Sequence, residues 1–147
     1  MTVIGSQGPS GTSAAAATRS MMKAYLDEIV AGPRGEFAEY FTDDVVMQIV
    51  GTDHEGRGRA AVEGMIRYFQ EQAFDARPEI RCLLVDGNRA AIDADFVGQH
   101  IGEFAGRAAT GKRFRVPFML FYEVADTRIK SLRISNLLDE LLRQLDG

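Results

Sequence analysis

Two long stretches of strand-like sequence, joined by a glycine-containing loop, constrain the fold of this chain most. Ala90 to Phe104 and Phe114 to Val124 each have the length and the composition of a strand. Gly106, Gly111 and small polar residues lie between them, and such residues are typical of a connecting loop. The sequence therefore predicts a long hairpin within an antiparallel sheet.

The first of these strands carries a histidine. His100 shares strand parity with Phe96 and Gly98, because alternate residues of a strand point to the same side. That face is apolar, and the missing side chain of Gly98 predicts space beside the imidazole. Histidine exchanges a proton near neutral pH, so His100 is a candidate acid–base group. A structural histidine in the core is the alternative, and the sequence leaves it open.

Helical spacing dominates the first half of the chain. Apolar residues at the spacing of one buried helix face precede Gly32-Pro33, and a short second helix and a third helix follow the same rule. A strand over 45–50 lies between the second and third helices, and a helical tail over 137–145 follows the last strand. Helices that cover one face of an antiparallel sheet give an α+β domain. We expect a disordered tail over 1–11 and a single domain over 12–147.

Composition excludes several classes of partner. The chain has 147 residues and a net charge of −4, which disfavours nucleic acid. No apolar run approaches the roughly 20 residues that span a membrane, and the N-terminal sequence lacks the pattern of a secretory signal. Cys82 is the single cysteine, so the cytoplasm is the predicted location. Consecutive loop residues such as Asp53-His54-Glu55 rarely converge on one ion, so we expect no metal. We also expect no organic cofactor.

The hairpin region also resembles a known family. Residues 98–104 read Gly-Gln-His-Ile-Gly-Glu-Phe and residues 109–112 read Ala-Thr-Gly-Lys, which is similar to a signature of SnoaL-like polyketide cyclases. These belong to the nuclear transport factor 2-like superfamily, together with ketosteroid isomerase and limonene epoxide hydrolase. The resemblance extends from about Met21 to Leu145. It implies a cone-shaped, curved antiparallel sheet with helices packed on its concave face, enclosing one pocket.

The resemblance also implies site residues. Tyr25 matches the tyrosine that donates a hydrogen bond to an oxyanion in ketosteroid isomerases. The general base of those enzymes falls on Ile49 or Gln48, and their second acid falls on Met119. None of these residues can act as a carboxylate, which argues against steroid isomerisation. Epoxide hydrolases of this superfamily use an Asp-Arg-Asp set of residues. Arg133 is the one residue of this sequence that we can match to that set, which argues against epoxide hydrolysis.

We therefore predict a cofactor-independent cyclase or isomerase that acts on a polyketide-like or other apolar carbonyl compound. Tyr25 and His100 are the predicted catalytic residues. The predicted substrate-binding residues are Gln48, Met119, Asn136, Phe96, Phe41, Phe69 and Leu132. A non-catalytic binding or assembly module and an epoxide hydrolase or epoxide-opening cyclase are the alternatives.

The chain is also predicted to form a homodimer through the outer face of the sheet. Phe118, Leu120 and Tyr122 share one parity on their strand, and we assign them to the outer face. Met119 and Phe121 would then face the pocket. Two apolar faces on one strand imply that both faces are covered.

Overall fold

The computed structural model describes residues 9–32 and 36–147, with side chains from residue 13 onward. Its elements are α1 (Pro9–Ala31), a 3₁₀ turn (Phe37–Tyr40), β1 (Phe41–Ile49), β2 (Glu55–Arg57), α2 (Arg59–Arg67), a π-helical turn (Tyr68–Gln72), β3 (Phe74–Asp86), β4 (Arg89–His100), β5 (Arg113–Ala125), β6 (Arg128–Ser135) and α3 (Leu138–Asp146). Within the described residues, no helix combines the length and the hydropathy that a membrane span requires.

The first helix starts earlier than the sequence predicts. Most of the predicted tail, residues 1–8, lies outside the described residues. Residues 9–11 are helical, because α1 begins at Pro9. Proline suits the first turn of a helix, where its missing N–H would have no partner.

The sheet confirms the α+β class but is mixed, not wholly antiparallel. The described strands are ordered β2-β1-β6-β5-β4-β3 in one curved, unclosed sheet. β1 pairs with β6 in parallel, with Met47 opposite Leu132, whereas the other neighbouring strands are antiparallel. β1 and β6 are far apart in sequence, so no hairpin turn dictates their direction.

The two faces of β5 are the reverse of the prediction. Phe118, Leu120 and Tyr122 are buried beneath the helices, whereas Met119 and Phe121 are 37% and 44% exposed on the outer face. Both faces of this strand are apolar, so parity alone could not decide which one points inward. The apolar stripe of α1, which includes Tyr25, packs against the face that carries Tyr122.

The end of β4 corrects two further expectations. β4 ends at His100 and does not continue to Phe104, which instead pairs with Arg107 in a tight turn. Gly98 leaves no room for a ligand, because a Cβ at this position would overlap Asp75 O and Ala76 of β3. The glycine therefore permits the close approach of two strands and does not open space beside the imidazole.

Charged contacts join the loop between β4 and β5 to α3. Arg107 donates two hydrogen bonds to the Asp146 carboxylate, at 2.6 and 2.7 Å. Lys112 Nζ donates a hydrogen bond to Leu145 O at 3.0 Å. A cation at the C-terminal end of a helix interacts favourably with the last carbonyl groups. These contacts hold α3 against the loop.

Candidate functional site

An apolar cavity of about 60 Å³, here called the inner chamber, lies between the inner face of the sheet and the helices. Strands β1, β4, β5 and β6 contribute residues from their inner faces, and α1, α2 and the π-helical turn cover them. The lining residues are Tyr25, Ile29, Met47, Ile66, Phe69, Gln70, Phe96, Phe118, Leu120, Tyr122, Leu132, Ile134 and Leu137. Such a lining suits an apolar ligand that a few polar groups orient.

Two tyrosines supply polar groups to this lining. The rings of Tyr25 and Tyr122 lie 6.3 Å apart at 76°, and each residue is only 2% exposed. Burial raises the pKa of the Tyr25 hydroxyl, and burial raises that of Tyr122 well above its usual value, with a smaller contribution from Tyr25. Both hydroxyls therefore stay protonated at neutral pH and can donate hydrogen bonds to a ligand.

A glutamine supplies the third polar group. Gln70 is 5% exposed, and its Oε1 atom has no hydrogen-bond partner within the described part of the chain. It lies in the π-helical turn, which is closed by a 2.8 Å hydrogen bond from Ala73 N to Tyr68 O. π-Turns are frequent at functional sites. The sequence prediction missed this residue, although Gln70 follows Val62 and Ile66 at helical spacing on the same apolar stripe.

His100 is placed away from the inner chamber. The residue is fully buried, and its Nδ1 atom accepts a hydrogen bond from Thr110 N at 3.2 Å. Nδ1 also lies 3.0 Å from Thr110 Oγ1, and Nε2 is buried without a partner within the described part of the chain. Phe74 packs against the imidazole, with ring centroids 5.4 Å apart. The catalytic role of His100 stays a prediction.

The other predicted site residues fall into two groups. Phe96, Phe69 and Leu132 line the inner chamber with Tyr25. Phe41 lies behind the Tyr25 ring, at a centroid distance of 5.7 Å, and supports it without lining the chamber.

Besides Phe41, three more of the predicted substrate-binding residues do not line the inner chamber. Met47 faces it in place of Gln48, because neighbouring residues of β1 point to opposite sides. Met119 points to the outer face. Asn136 is exposed in a surface groove beside Asp139, with a positive φ of 65°, a conformation that asparagine adopts more readily than most residues.

The residues considered for other chemistries also lie elsewhere. Arg133 is exposed on the outer face of the sheet, opposite Phe121 of β5. It therefore cannot join an Asp-Arg-Asp set inside the inner chamber. Within residues 9–32 and 36–147, no group of three or more His, Cys, Asp or Glu side chains is arranged to hold a metal ion.

Comparison with known proteins identifies the family. The family model of SnoaL-like polyketide cyclases matches residues 19–145. The chain belongs to this family. The expected resemblance is thereby confirmed over nearly the whole sequence. Among curated proteins, none matches the sequence.

Solved structures of similar fold support the architecture. A protein from Jannaschia sp. CCS1, proposed to be a SnoaL-like polyketide cyclase, superposes with a TM-score of 0.79 at 16% identity, covering 96% of both chains. A proposed polyketide cyclase from Xanthomonas campestris pv. campestris gives 0.74 at 19% identity, covering 90% of this chain and 98% of the other. A proposed ketosteroid isomerase from Kribbella flavida gives 0.63 at 23% identity, covering 82% and 78%. At these identities the likeness shows the fold alone.

Proposed function

We propose that this protein is a cofactor-independent cyclase or isomerase that acts on a polyketide-like or other apolar carbonyl compound. The observation that carries the proposal is the inner chamber, where the hydroxyls of Tyr25 and Tyr122 and the Gln70 carboxamide are set in an apolar lining. Membership of the SnoaL-like family supports a cyclase or isomerase. The hydroxyls of Tyr25 and Tyr122 and the Gln70 carboxamide favour a carbonyl compound as the substrate.

The three polar groups suit the transition between a ketone and its enol. A tyrosine O–H donates to the carbonyl oxygen, and this hydrogen bond strengthens as negative charge develops on that oxygen. In a chamber that excludes water, such donors stabilise the developing charge more strongly than water does. Gln70 Oε1, which needs a donor, would accept the hydrogen bond of an enol hydroxyl or of a neighbouring hydroxyl group.

Removal of the substrate proton is assigned to His100 as a proposal. The described lining of the inner chamber contains neither a carboxylate nor an imidazole. Phe74 lies next to the His100 ring on one side and contacts Phe96 of the chamber at 6.1 Å on the other. Proton transfer at His100 would therefore require Phe74 to move. A substrate with an acidic C–H between two carbonyl groups would need the least help from a base.

A non-catalytic binding module is the second candidate. The lining without a carboxylate or imidazole favours it, because positioned acid–base groups normally carry such reactions. The Asp-Arg-Asp set of an epoxide hydrolase has no comparable support, since Arg133 lies on the outer face.

Turnover and binding distinguish the two candidates. The purified protein is incubated with an aromatic poly-β-ketone or a β-keto ester, and products are followed by chromatography and mass spectrometry. Cyclisation or isomerisation above the rate in buffer, which Tyr25→Phe lowers, supports the enzyme. Saturable binding in calorimetry without product formation would instead identify a binding module.

We also propose a homodimer formed through the outer face of the sheet. After the correction of the β5 faces, its exposed apolar residues are Met119, Phe121 and Leu84. They lie beside a charged cluster in which Asp95 pairs with Arg81 at 2.6 Å and with Arg115 at 2.8 Å.

The cytoplasm stays the proposed location.

A further inference from the structure

A second cavity adjoins the inner chamber, and Phe69 belongs to the lining of both. This cavity, here called the outer chamber, has a volume of about 530 Å³ and lies between α2, the β4–β5 loop and the start of α3. Its walls include Met65, Phe104, Leu138 and Leu142, with His54 as the polar residue at an exposed position.

The sizes of the two chambers limit what the inner one can hold. The inner chamber measures about 60 Å³, whereas a cavity of roughly 150 Å³ is known to accommodate one benzene molecule. A carbonyl group with one or two attached carbons is the most that the inner chamber can accept. The outer chamber falls within the range of roughly 300–1,000 Å³ that is usual for small-molecule sites.

Phe69 is the side chain that separates the two spaces. Its ring contacts Phe96 of the inner chamber at a centroid distance of 6.4 Å and Phe104 of the outer chamber at 5.5 Å. It lies in the π-helical turn directly before Gln70 and is only partly buried. A rotation of this one side chain would connect the chambers.

We infer that the ligand is elongated and occupies both chambers. Its carbonyl end contacts Tyr25, Tyr122 and Gln70, and its apolar body passes Phe69 into the outer chamber. This inference rests on the proposed function for the carbonyl end and adds the length of the ligand, whose apolar body is longer than the inner chamber alone can hold. Phe69 becomes a specificity-determining residue.

Methyl ketones of different length test this assignment. Binding of acetone, the smallest methyl ketone, and of 2-nonanone to the full chain is measured by titration with NMR detection. Burial in the outer chamber should tighten binding by roughly three- to four-fold for each methylene that leaves water. Equal affinity of the two ketones would refute the inference.

Gly64 offers a variant that fills the outer chamber. It lies in α2 on the wall of this chamber, its φ is not positive, and a Cβ there would meet open space, so Gly64→Leu should fold. Gly64→Leu should remove the advantage of 2-nonanone and leave acetone binding unchanged, and Gly64→Ala is the matched control with a small side chain. If Gly64→Leu keeps the full advantage, the ligand body lies elsewhere.

Failure of this inference and failure of the proposed function give different results. If Tyr25→Phe leaves the affinity of acetone unchanged while the length dependence persists, the carbonyl assignment is wrong and the outer chamber stands. If Tyr25→Phe weakens both ketones equally but length has no effect, the carbonyl assignment stands and the outer chamber is not used.

Discussion

Replacement of Gln70 by methionine should stabilise the protein and weaken ligand binding. The Gln70 Oε1 atom is buried without a partner among the described residues. An unsatisfied buried acceptor costs about 1–3 kcal/mol, and methionine has a similar length without that acceptor. Gln70→Met should therefore raise the free energy of unfolding by about 1–3 kcal/mol. For a chain of this size each kcal/mol corresponds to about 2–4 °C in Tm.

The effect on binding should have the opposite sign. A neutral hydrogen bond contributes about 0.5–1.5 kcal/mol, so Gln70→Met should weaken a hydroxyl-bearing ketone by roughly two- to ten-fold. Urea unfolding gives the stability, and calorimetry gives the affinity. Gln72→Met makes the same chemical change on an exposed residue of the same turn and should alter stability by less than about 0.5 kcal/mol. Destabilisation by Gln70→Met, with ligand affinity unchanged, would show that the carboxamide is a satisfied structural group and refute the reasoning.

Four further predictions concern other parts of the molecule. Tyr25→Phe should lower turnover by about 10²–10³-fold without loss of Tm, since it removes a donor and keeps the ring; unchanged kcat would rule out the oxyanion role. His100→Gln should lower turnover by at least about 100-fold with an intact fold by circular dichroism, whereas unfolding would identify a core residue. Phe121→Glu should convert the dimer to a monomer in sedimentation velocity, and a wild-type monomer at micromolar concentration would contradict the proposed interface. Arg81, and then Arg115, lower the pKa of the Asp95 carboxyl group. The contribution of Asp95 to stability is therefore present above the unfolded-state pKa of about 4 and is lost as the pH falls through the lower folded-state pKa. Asp95→Asn should reduce this acid-dependent loss of Tm, and an unaltered pH profile would refute the assignment.

The sequence predicted the periodic parts of the fold well. The apolar stripe of α1, with Tyr25 on it, and the amphipathic tail α3 follow from spacing, because each pattern has one buried face. The long strands β4 and β5 follow from their length and composition. Tyr25, Phe96, Phe69 and Leu132, which the sequence analysis proposed as site residues, line the inner chamber, and their roles stay predictions.

Where both faces of a strand are apolar, the spacing of the residues cannot decide which face is buried. Met119 and Phe118 alternate on a strand that is apolar on both faces, and the packing of the helices decides which one is buried. Gly98 illustrates a second limit, because a glycine can open space or permit close approach, and the position of β3 decides this. Gln70 was missed because a polar residue on an apolar stripe is informative only once its missing partner is visible.

The contacts between Arg107 and Asp146 and between Lys112 and Leu145 O also bear on how a ligand enters. They join two walls of the outer chamber, since Phe104 belongs to the loop and Leu142 to α3. Segments linked in this way open together as one cooperative unit. Salt screens this solvent-exposed ion pair, so the amides of α3 and of the loop should exchange hydrogen at similar rates that rise together with ionic strength.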